Sequence, residues 1–505
     1  MITISIMLAT IMQTLDSTIA NVALPHMAGG LSASQDQITW VLTSYIVAAA
    51  ITTPVTGWLA GRYGRKTIFL ISIAGFTASS LLCGMSGNLF EMVCARLLQG
   101  VFGAALVPLS QSVMLDINPP ERHARAMAVW GMGVMLGPIL GPTMGGWLTD
   151  NMSWRWVFLI NLPVGILSFL GVYFYIRNSA TKILKRFDWF GFSMLALAIG
   201  LLQLLLDRGE QQDWFGSIEI RLEAIGAVIA FVYFLLHTAT DSGDTFFNTK
   251  LLKDRNFVTG LAFYFLLGLL LYATRALLPP LLQNLMDYPV TTTGLVTAPS
   301  GLGTMIAMLM AGRMVGRMDS RLILALGFGL TAVSLWQMSE YAPQVAQWNI
   351  IWPGFIQGMG IGFTSVPLTT MTFSTLDRHL RSEGTAIYSL SRNIGSSIGI
   401  SVMQTLLVRN TATMHSSLAE HITPGALATG HYAFANTFDL STTTGMAALN
   451  SILQNQASFI AYMDDFRLMF WMTLLSIPCL WLMREKKAEN PVSAEDKDVV
   501  IAAAE

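Results

Sequence analysis

Met92-Val-Cys-Ala-Arg96-Leu-Leu-Gln99-Gly100-Val-Phe-Gly-Ala-Ala-Leu-Val-Pro108-Leu-Ser-Gln-Ser-Val-Met-Leu115 holds a single charge, Arg96, in an otherwise uncharged run. A short charged turn follows (Asp116, Glu121, Arg122, Arg125), then a second apolar run, Met127–Leu148. The second run contains Gly131, Gly133, Gly137, Pro138, Gly141, Pro142, Gly145 and Gly146. A bilayer crossing takes about 20 apolar residues, and both runs reach that length. A charge within such a run costs at least about 3 kcal/mol, so it persists only where it pairs or lines a wet path. The glycine-proline helix lacks bulk and some backbone donors, so it can bend and approach a neighbour closely. A buried charge beside a closely packing helix points to a transporter.

Composition agrees. The chain has 505 residues, 53% hydrophobic and 12% charged, against roughly 25% charged in soluble domains. The net charge of −1 leaves no basic face for nucleic acid. Cys83, Cys94 and Cys479 show neither zinc spacing nor a disulfide framework, and the histidines form no metal set. There is no GxxxxGK[ST] loop, which argues against ATP-driven export. No enzyme motif and no cofactor signature is present. The first apolar run, 2–24, lacks a basic leader and a small-residue cleavage site, and reads as a retained span.

Runs of spanning length recur near 2–24, 38–60, 67–87, 89–114, 125–148, 155–176, 187–206, 217–237, 256–282, 294–312, 321–339, 350–373, 384–408 and 465–483. These predict an all-α membrane protein of fourteen helices. With a cytoplasmic N-terminus, the inner connections hold most of the 29 lysines and arginines, among them Arg62, Arg65, Lys66, Arg177, Lys182, Lys185, Arg186, Arg313, Arg317, Arg378 and Arg381. The outer connections hold only Arg155, Arg208 and Arg409. This asymmetry predicts that both termini are cytoplasmic.

Gln99-Gly100 recurs as Gln357-Gly358, and Gly57–Lys66 recurs loosely as Gly312–Arg321. Repeated halves with a site between them are a common transporter plan. The predicted division is a six-helix half over 1–176, two inserted helices over 177–255, and a second six-helix half over 256–484. That second half includes a long outer loop at 409–464, and a cytoplasmic tail follows at 485–505. The loop has some helical spacing at Ala435–Tyr462 and is expected to hold short helices.

Several motifs resemble one family. Leu15-Asp16-Ser17-Thr18-Ile19-Ala20-Asn21-Val22-Ala23-Leu24-Pro25, Gly57–Lys66, Arg96-Leu97-Leu98-Gln99-Gly100 and Gly133–Gly146 stand in order on successive helices. Trp154–Pro163 and Leu206-Asp207-Arg208-Gly209 follow them. Together they resemble the fourteen-helix drug:proton antiporters of the major facilitator superfamily, the EmrB/QacA group, and most of all its EmrB-like members from Gram-negative bacteria. The resemblance implies a major facilitator fold of two six-helix halves plus two inserted helices. It also implies multidrug export by alternating access, driven by the proton gradient, from a bacterial inner membrane. The expected partners are small-molecule drugs or toxic metabolites, membrane lipids, a periplasmic adaptor (membrane fusion protein) and an outer-membrane channel. The loop at 409–464 is the candidate adaptor contact.

By the same resemblance, Gly57, Gly61, Arg62, Gly64 and Arg65 belong to an inner gate. Gly133, Gly137, Pro138, Gly141, Pro142 and Gly145 form the antiporter motif. Gly61 departs from the pattern, which usually has aspartate there, and Gly316 does likewise in the second half. A charge relay there would have to take its acid from another position.

Asp16 and Arg96 lie at similar depth on helices running in opposite directions. They are expected to serve proton coupling, since burial disfavours a carboxylate's charged form. A structural ion pair is the alternative. Asn21, Gln99, Asn161 and Gln357 are amides that either join helices by hydrogen bonds or line the cavity. Arg275 either snorkels to the outer headgroups or faces the cavity, where it would favour anionic substrates. Arg392 is expected at the inner gate. A dedicated exporter of one metabolite, such as a siderophore, fatty acid or amino acid, remains the alternative to a multidrug pump. A non-transporting receptor is a more distant one.

Overall fold

Lipid offers no hydrogen bonds, so an apolar run must satisfy its backbone internally, and helices do this within one segment. The structure, a computed structural model, describes residues 2–176, 187–240, 250–377, 380–420, 422 and 442–484. The long helices are α1 (Ile2–Gly30), α2 (Trp40–Thr52), α3 (Val55–Tyr63), α4 (Arg65–Met85), α5 (Leu89–Gly103), α6 (Leu106–Ile117), α7 (His123–Asn151) and α8 (Asn161–Tyr175). They continue with α9 (Trp189–Arg208), α10 (Ile218–Thr240), α11 (Arg255–Pro280), α12 (Val290–Met314), α13 (Ser320–Met338), α14 (Gln347–Ser374), α15 (Arg381–Glu420) and α16 (Thr443–Ser476).

Proline and glycine set the breaks. Helices α2 and α3 form one span bent by 55°; Pro54 lies at the break and has no amide to carry the helix through. Helix α6 resumes just after Ala104–Ala105, where Pro108 lacks the N–H that would reach the Ala104 carbonyl. Gly64 ends α3 with φ of 88°, a conformation that favours glycine. Asn88 starts α5 by accepting the Glu91 amide at 2.9 Å, while Glu91 accepts from the Gly87 amide at 2.8 Å.

Among the described residues eleven helices are long and apolar enough to cross a membrane, and twelve if the bent pair counts as one span. Helices α14 and α15 occupy the positions predicted for two further spans but are more polar. Helix α14 is buried along most of its length, so its polar groups meet protein rather than lipid.

The first half packs α1 on α7 and α8, and α2 and α4 on α5. The second packs α12 and α13 on α14, and α11 and α16 on α15. The halves meet through α7 with α12 and α14, and through α15 with α3 and α6. Helices α9 and α10 pair, and α9 touches both α2 and α15.

One expectation needs correction. Residues 409–464 are not a long loop with short helices. Helix α15 continues to Glu420, and α16 begins at Thr443 and runs unbroken to Ser476. Polar composition argues against spanning helices here, yet the two extensions brace each other, with His415 and Asn450 2.9 Å apart. The rest of that stretch lies outside the described residues, except Ile422 and Thr442. Residues 177–186, 241–249, 378–379 and the tail 485–505 also lie outside them, and with them Arg177, Lys182, Lys185, Arg186 and Arg378.

The glycine edge of α7 lies on α1. A Cβ at Gly137 would sit 2.5 Å from the Thr14 carbonyl carbon and 2.7 Å from the Leu15 backbone nitrogen, contacts that no rotamer change relieves. At Gly146, on the same helix, a Cβ would meet nothing within 4 Å. Gly137→Ala is therefore expected to lose about 1–3 kcal/mol by overpacking. Gly146→Ala is expected to behave as the parent in thermal melts and transport.

Candidate functional site

Asp16 and Arg96 are fully buried, at 0% exposure each. Arg96 Nη1 donates to Asp16 Oδ2 at 2.7 Å and to Gln99 Oε1 at 2.7 Å, and Nε donates to the Val41 carbonyl at 3.0 Å. The other carboxylate oxygen, Oδ1, accepts from Gln99 Nε2 at 3.0 Å and from Asn161 Nδ2 at 2.8 Å. Ser80 Oγ ties the two amides together, accepting from both and donating to the Phe158 carbonyl at 2.9 Å. The guanidinium also lies 4.5 Å over the Tyr45 ring and 5.5 Å over Phe158.

The local sequence explains the arrangement. Arg96 and Gln99 are three residues apart on α5, so they share a face. Asn161 opens α8 directly across from that face.

This site can hold an ionised carboxylate or release it, but protonation changes its contacts. Every neighbour that touches Asp16 is a donor. A proton on Oδ2 would replace an acceptor with a donor facing a guanidinium that can only donate. Protonation must therefore loosen the contact between α1 and α5. Breaking such a pair while leaving one charge buried costs about 3–5 kcal/mol.

The halves are latched at the end of the bundle that carries the basic turn Arg62–Lys66. Asp116, at the end of α6, pairs with Arg65 and with Arg381 of the other half at 3.4 Å. Arg381 also reaches the Leu115 carbonyl at 3.4 Å. The hydroxyls of Ser112 and Ser382 lie 3.2 Å apart. Gly57 lets α3 touch α15, since a Cβ there would come within 2.7 Å of the Glu383 Cα.

Asp116 is the residue joining the halves that sequence reading missed. It supplies an acid to Arg65 in a turn where position 61 offers none. The only hint was its place in the charged turn after the fourth span. A cross-link between Ser112→Cys and Ser382→Cys, made with a short reducible thiol reagent, should stop export, and reduction should restore it. Adding Asp116→Ala should slow formation of that cross-link.

Other residues fall elsewhere. Arg62 lies over the Trp58 ring at 5.3 Å, and Gly61 sits one turn after Gly57 on α3. Arg392 is not at the latch. Eleven residues into α15 it stands about 16 Å deeper than Arg381, in the wall of a cavity between the halves. Trp130, Met135, Tyr264, Leu271 and Met308 also line that cavity. Arg275 reaches toward it, with Nη2 3.8 Å from the Met135 sulfur.

The four residues expected to line the cavity separate. Gln99 serves Asp16, and Gln357 is buried and donates to the Thr274 hydroxyl at 3.1 Å. Asn21 is exposed on α1, bonded to its own helix at Ser17. None of the four lines the cavity itself, and Arg275 touches Met135, which does. In the antiporter motif, Gly133, Gly137, Gly141 and Gly145 all face α1, Gly133 against the Met7 side chain. Pro138 and Pro142 lie within α7 between those glycines.

Two packed helical halves around a cavity, latched at one end, are the architecture of a membrane transporter. The chain belongs to the Major Facilitator Superfamily, which it matches over residues 6–400; it is therefore a transporter and not an enzyme. It is 35% identical to the multidrug export protein EmrB of Haemophilus influenzae, over 94% of this chain and 93% of that protein. It is 38% identical to EmrB of Escherichia coli K12 over 84% of this chain and 83% of that one. It is 35% identical to the fatty acid resistance protein FarB of Neisseria gonorrhoeae, over 96% of each. The crystal structure of the human organic anion transporter MFSD10 (TETRAN) shares the fold. Its TM-score is 0.59 at 14% identity, covering 94% of this chain and 98% of that one.

Proposed function

We propose that this chain is a fourteen-span, proton-coupled multidrug exporter of a bacterial inner membrane. Both termini would be cytoplasmic, and the chain would exchange protons for hydrophobic or amphipathic compounds by alternating access. The observation that carries this reading is the Asp16–Arg96 pair. It is a charge pair sealed inside spanning helices, with an acid whose protonation must disturb a helix contact. The relatives named as multidrug export proteins support the substrate breadth. Helices α14 and α15 supply the two further spans, since lipid need not touch their polar faces. The paired extensions of α15 and α16 are the proposed contact for a periplasmic adaptor, which would pass cargo to an outer-membrane channel.

Efflux from cells stripped of their other pumps tests the reading, using a panel of unrelated lipophilic compounds. Export of many of them, abolished by collapsing the pH gradient, is the expected result. Export that survives the collapse would remove proton coupling. The relative named a fatty acid resistance protein favours a second reading, a narrow exporter of one compound class. Export of a single class from the panel would establish it.

A further inference from the structure

Several arginines within or beside the spans have an acid at hand. Arg96 has Asp16, Arg65 and Arg381 share Asp116, and Arg208 pairs with Glu219. Arg275 and Arg392 differ. Among the described residues no carboxylate forms an ion pair with either.

Arg392 lies 5.7 Å over the Tyr264 ring and otherwise makes only long hydrogen bonds. Nη1 lies 3.5 Å from the Tyr264 hydroxyl and Nη2 lies 3.3 Å from Asn393 Oδ1. Its Nε is buried without a partner. Arg275 has the Met135 sulfur and the Tyr272 ring, 6.0 Å away, and a thioether is a weak acceptor. Arg392 and Met135, the residue that Arg275 reaches, line the same cavity. Two like charges in the middle of a membrane protein, without a counter-ion, are unfavourable unless something anionic visits them.

Their surroundings say what the visitor looks like. Tyr264 stacks on Tyr388 at 3.7 Å, forming a rigid floor beneath Arg392. Trp130, Met135, Leu271 and Met308 supply aromatic, thioether and aliphatic wall, and methionine adapts to varied shapes. We propose that Arg275 and Arg392 together form an anion seat in the central cavity. The cargo of this transporter is then an amphipathic anion, a carboxylate or sulfonate carried on an aromatic or alkyl body. Guanidinium forks suit such oxyanions, giving short charge-assisted hydrogen bonds. The free space is now about 40 Å³, room for little more than one water. The halves must therefore part to admit cargo and can close again around its headgroup.

This rests on the exporter reading, so the test separates the two. Purified intact protein is titrated with a matched pair of fluorescent probes, an alkyl naphthalene sulfonate and the ammonium compound of the same body. The same pair is followed for efflux from cells. The parent is expected to bind and export the sulfonate in preference. Arg275→Gln and Arg392→Gln should each weaken sulfonate binding about ten- to a hundredfold, the loss of one charged hydrogen-bond partner. Binding of an uncharged analogue should change little. Arg275→Lys and Arg392→Lys, which keep the charge, should recover part of the loss and show that the fold tolerates both sites.

Equal binding of sulfonate and ammonium would overturn the anion seat, as would undiminished sulfonate binding in both glutamine variants. Displacement of the sulfonate by millimolar chloride or phosphate would overturn the organic-anion assignment. Selective sulfonate binding with no export would keep the seat and remove the exporter reading.

Discussion

Asp16→Asn is expected to abolish gradient-driven export while the protein still reaches the membrane. Asparagine has nearly the same shape, so packing around α1 is kept, but it cannot cycle a proton. It also removes the only acid paired with Arg96 and leaves a guanidinium that is 0% exposed without its counter-charge. The stability loss from that alone is about 3–5 kcal/mol, partly offset because the amide oxygen can still accept. Two measurements separate the effects. A thermal melt in detergent reads the stability loss. Proteoliposomes with an imposed pH gradient, normalised to folded protein, read coupling. Full gradient-driven export from the variant would leave the pair as a structural tie and nothing more.

The second large effect concerns Gly358→Ala, on a helix that touches no proton. A Cβ at that position would collide with the Ser300 carbonyl oxygen and crowd the Thr304 amide at 3.0 Å. Both are backbone atoms of α12, so no rotamer change relieves the clash. Helices α12 and α14 would have to separate along their crossing. Lipid is as apolar as the side chains, and helix association in membranes rests on close van der Waals packing. Overpacking here is expected to cost about 3 kcal/mol, the upper end of the usual range, and folded yield should drop sharply. Gly354→Ala, one turn away, is the control: its Cβ would lie 3.9 Å from Ser300 Cβ, an ordinary contact. Equal melting temperatures for the two variants would mean that the crossing is softer than the structure shows.

The Asp16–Arg96 pairing was legible because charges within apolar runs are few, and opposite chain directions placed these two at one depth. The glycine edge of α7 was legible for a similar reason, since small residues at helical spacing mark a close approach. Asn161 as a third donor to Asp16 was not, because an amide near a helix start looks the same whether it caps the helix or crosses to a neighbour. The latch was hidden for a different reason. Asp116 and Arg381 lie in different halves, and nothing local in either segment marks the other as its partner. Arg392 was placed too near the membrane face because its helix was taken to begin at 384, whereas α15 begins at Arg381. Residues 409–420 and 443–464 were read as loop because polarity argues against a span, although it does not argue against a helix.

The repeated Gln-Gly pair carries a further consequence. In each half the glycine sits at a helix crossing and the glutamine reaches the first helix of that half. Gln99 meets a carboxylate there and Gln357 meets a hydroxyl. Titratable chemistry thus occupies one copy of the repeated pair, and its counterpart holds a neutral partner. The unpaired arginines sit on the neutral side. A proton and an anionic cargo would then share no atom and could not displace one another directly. Each would sense the other only as a change in the balance between states of the interface joining the halves. Such linkage is reciprocal: the factor by which protonation loosens cargo equals the factor by which cargo loosens the proton.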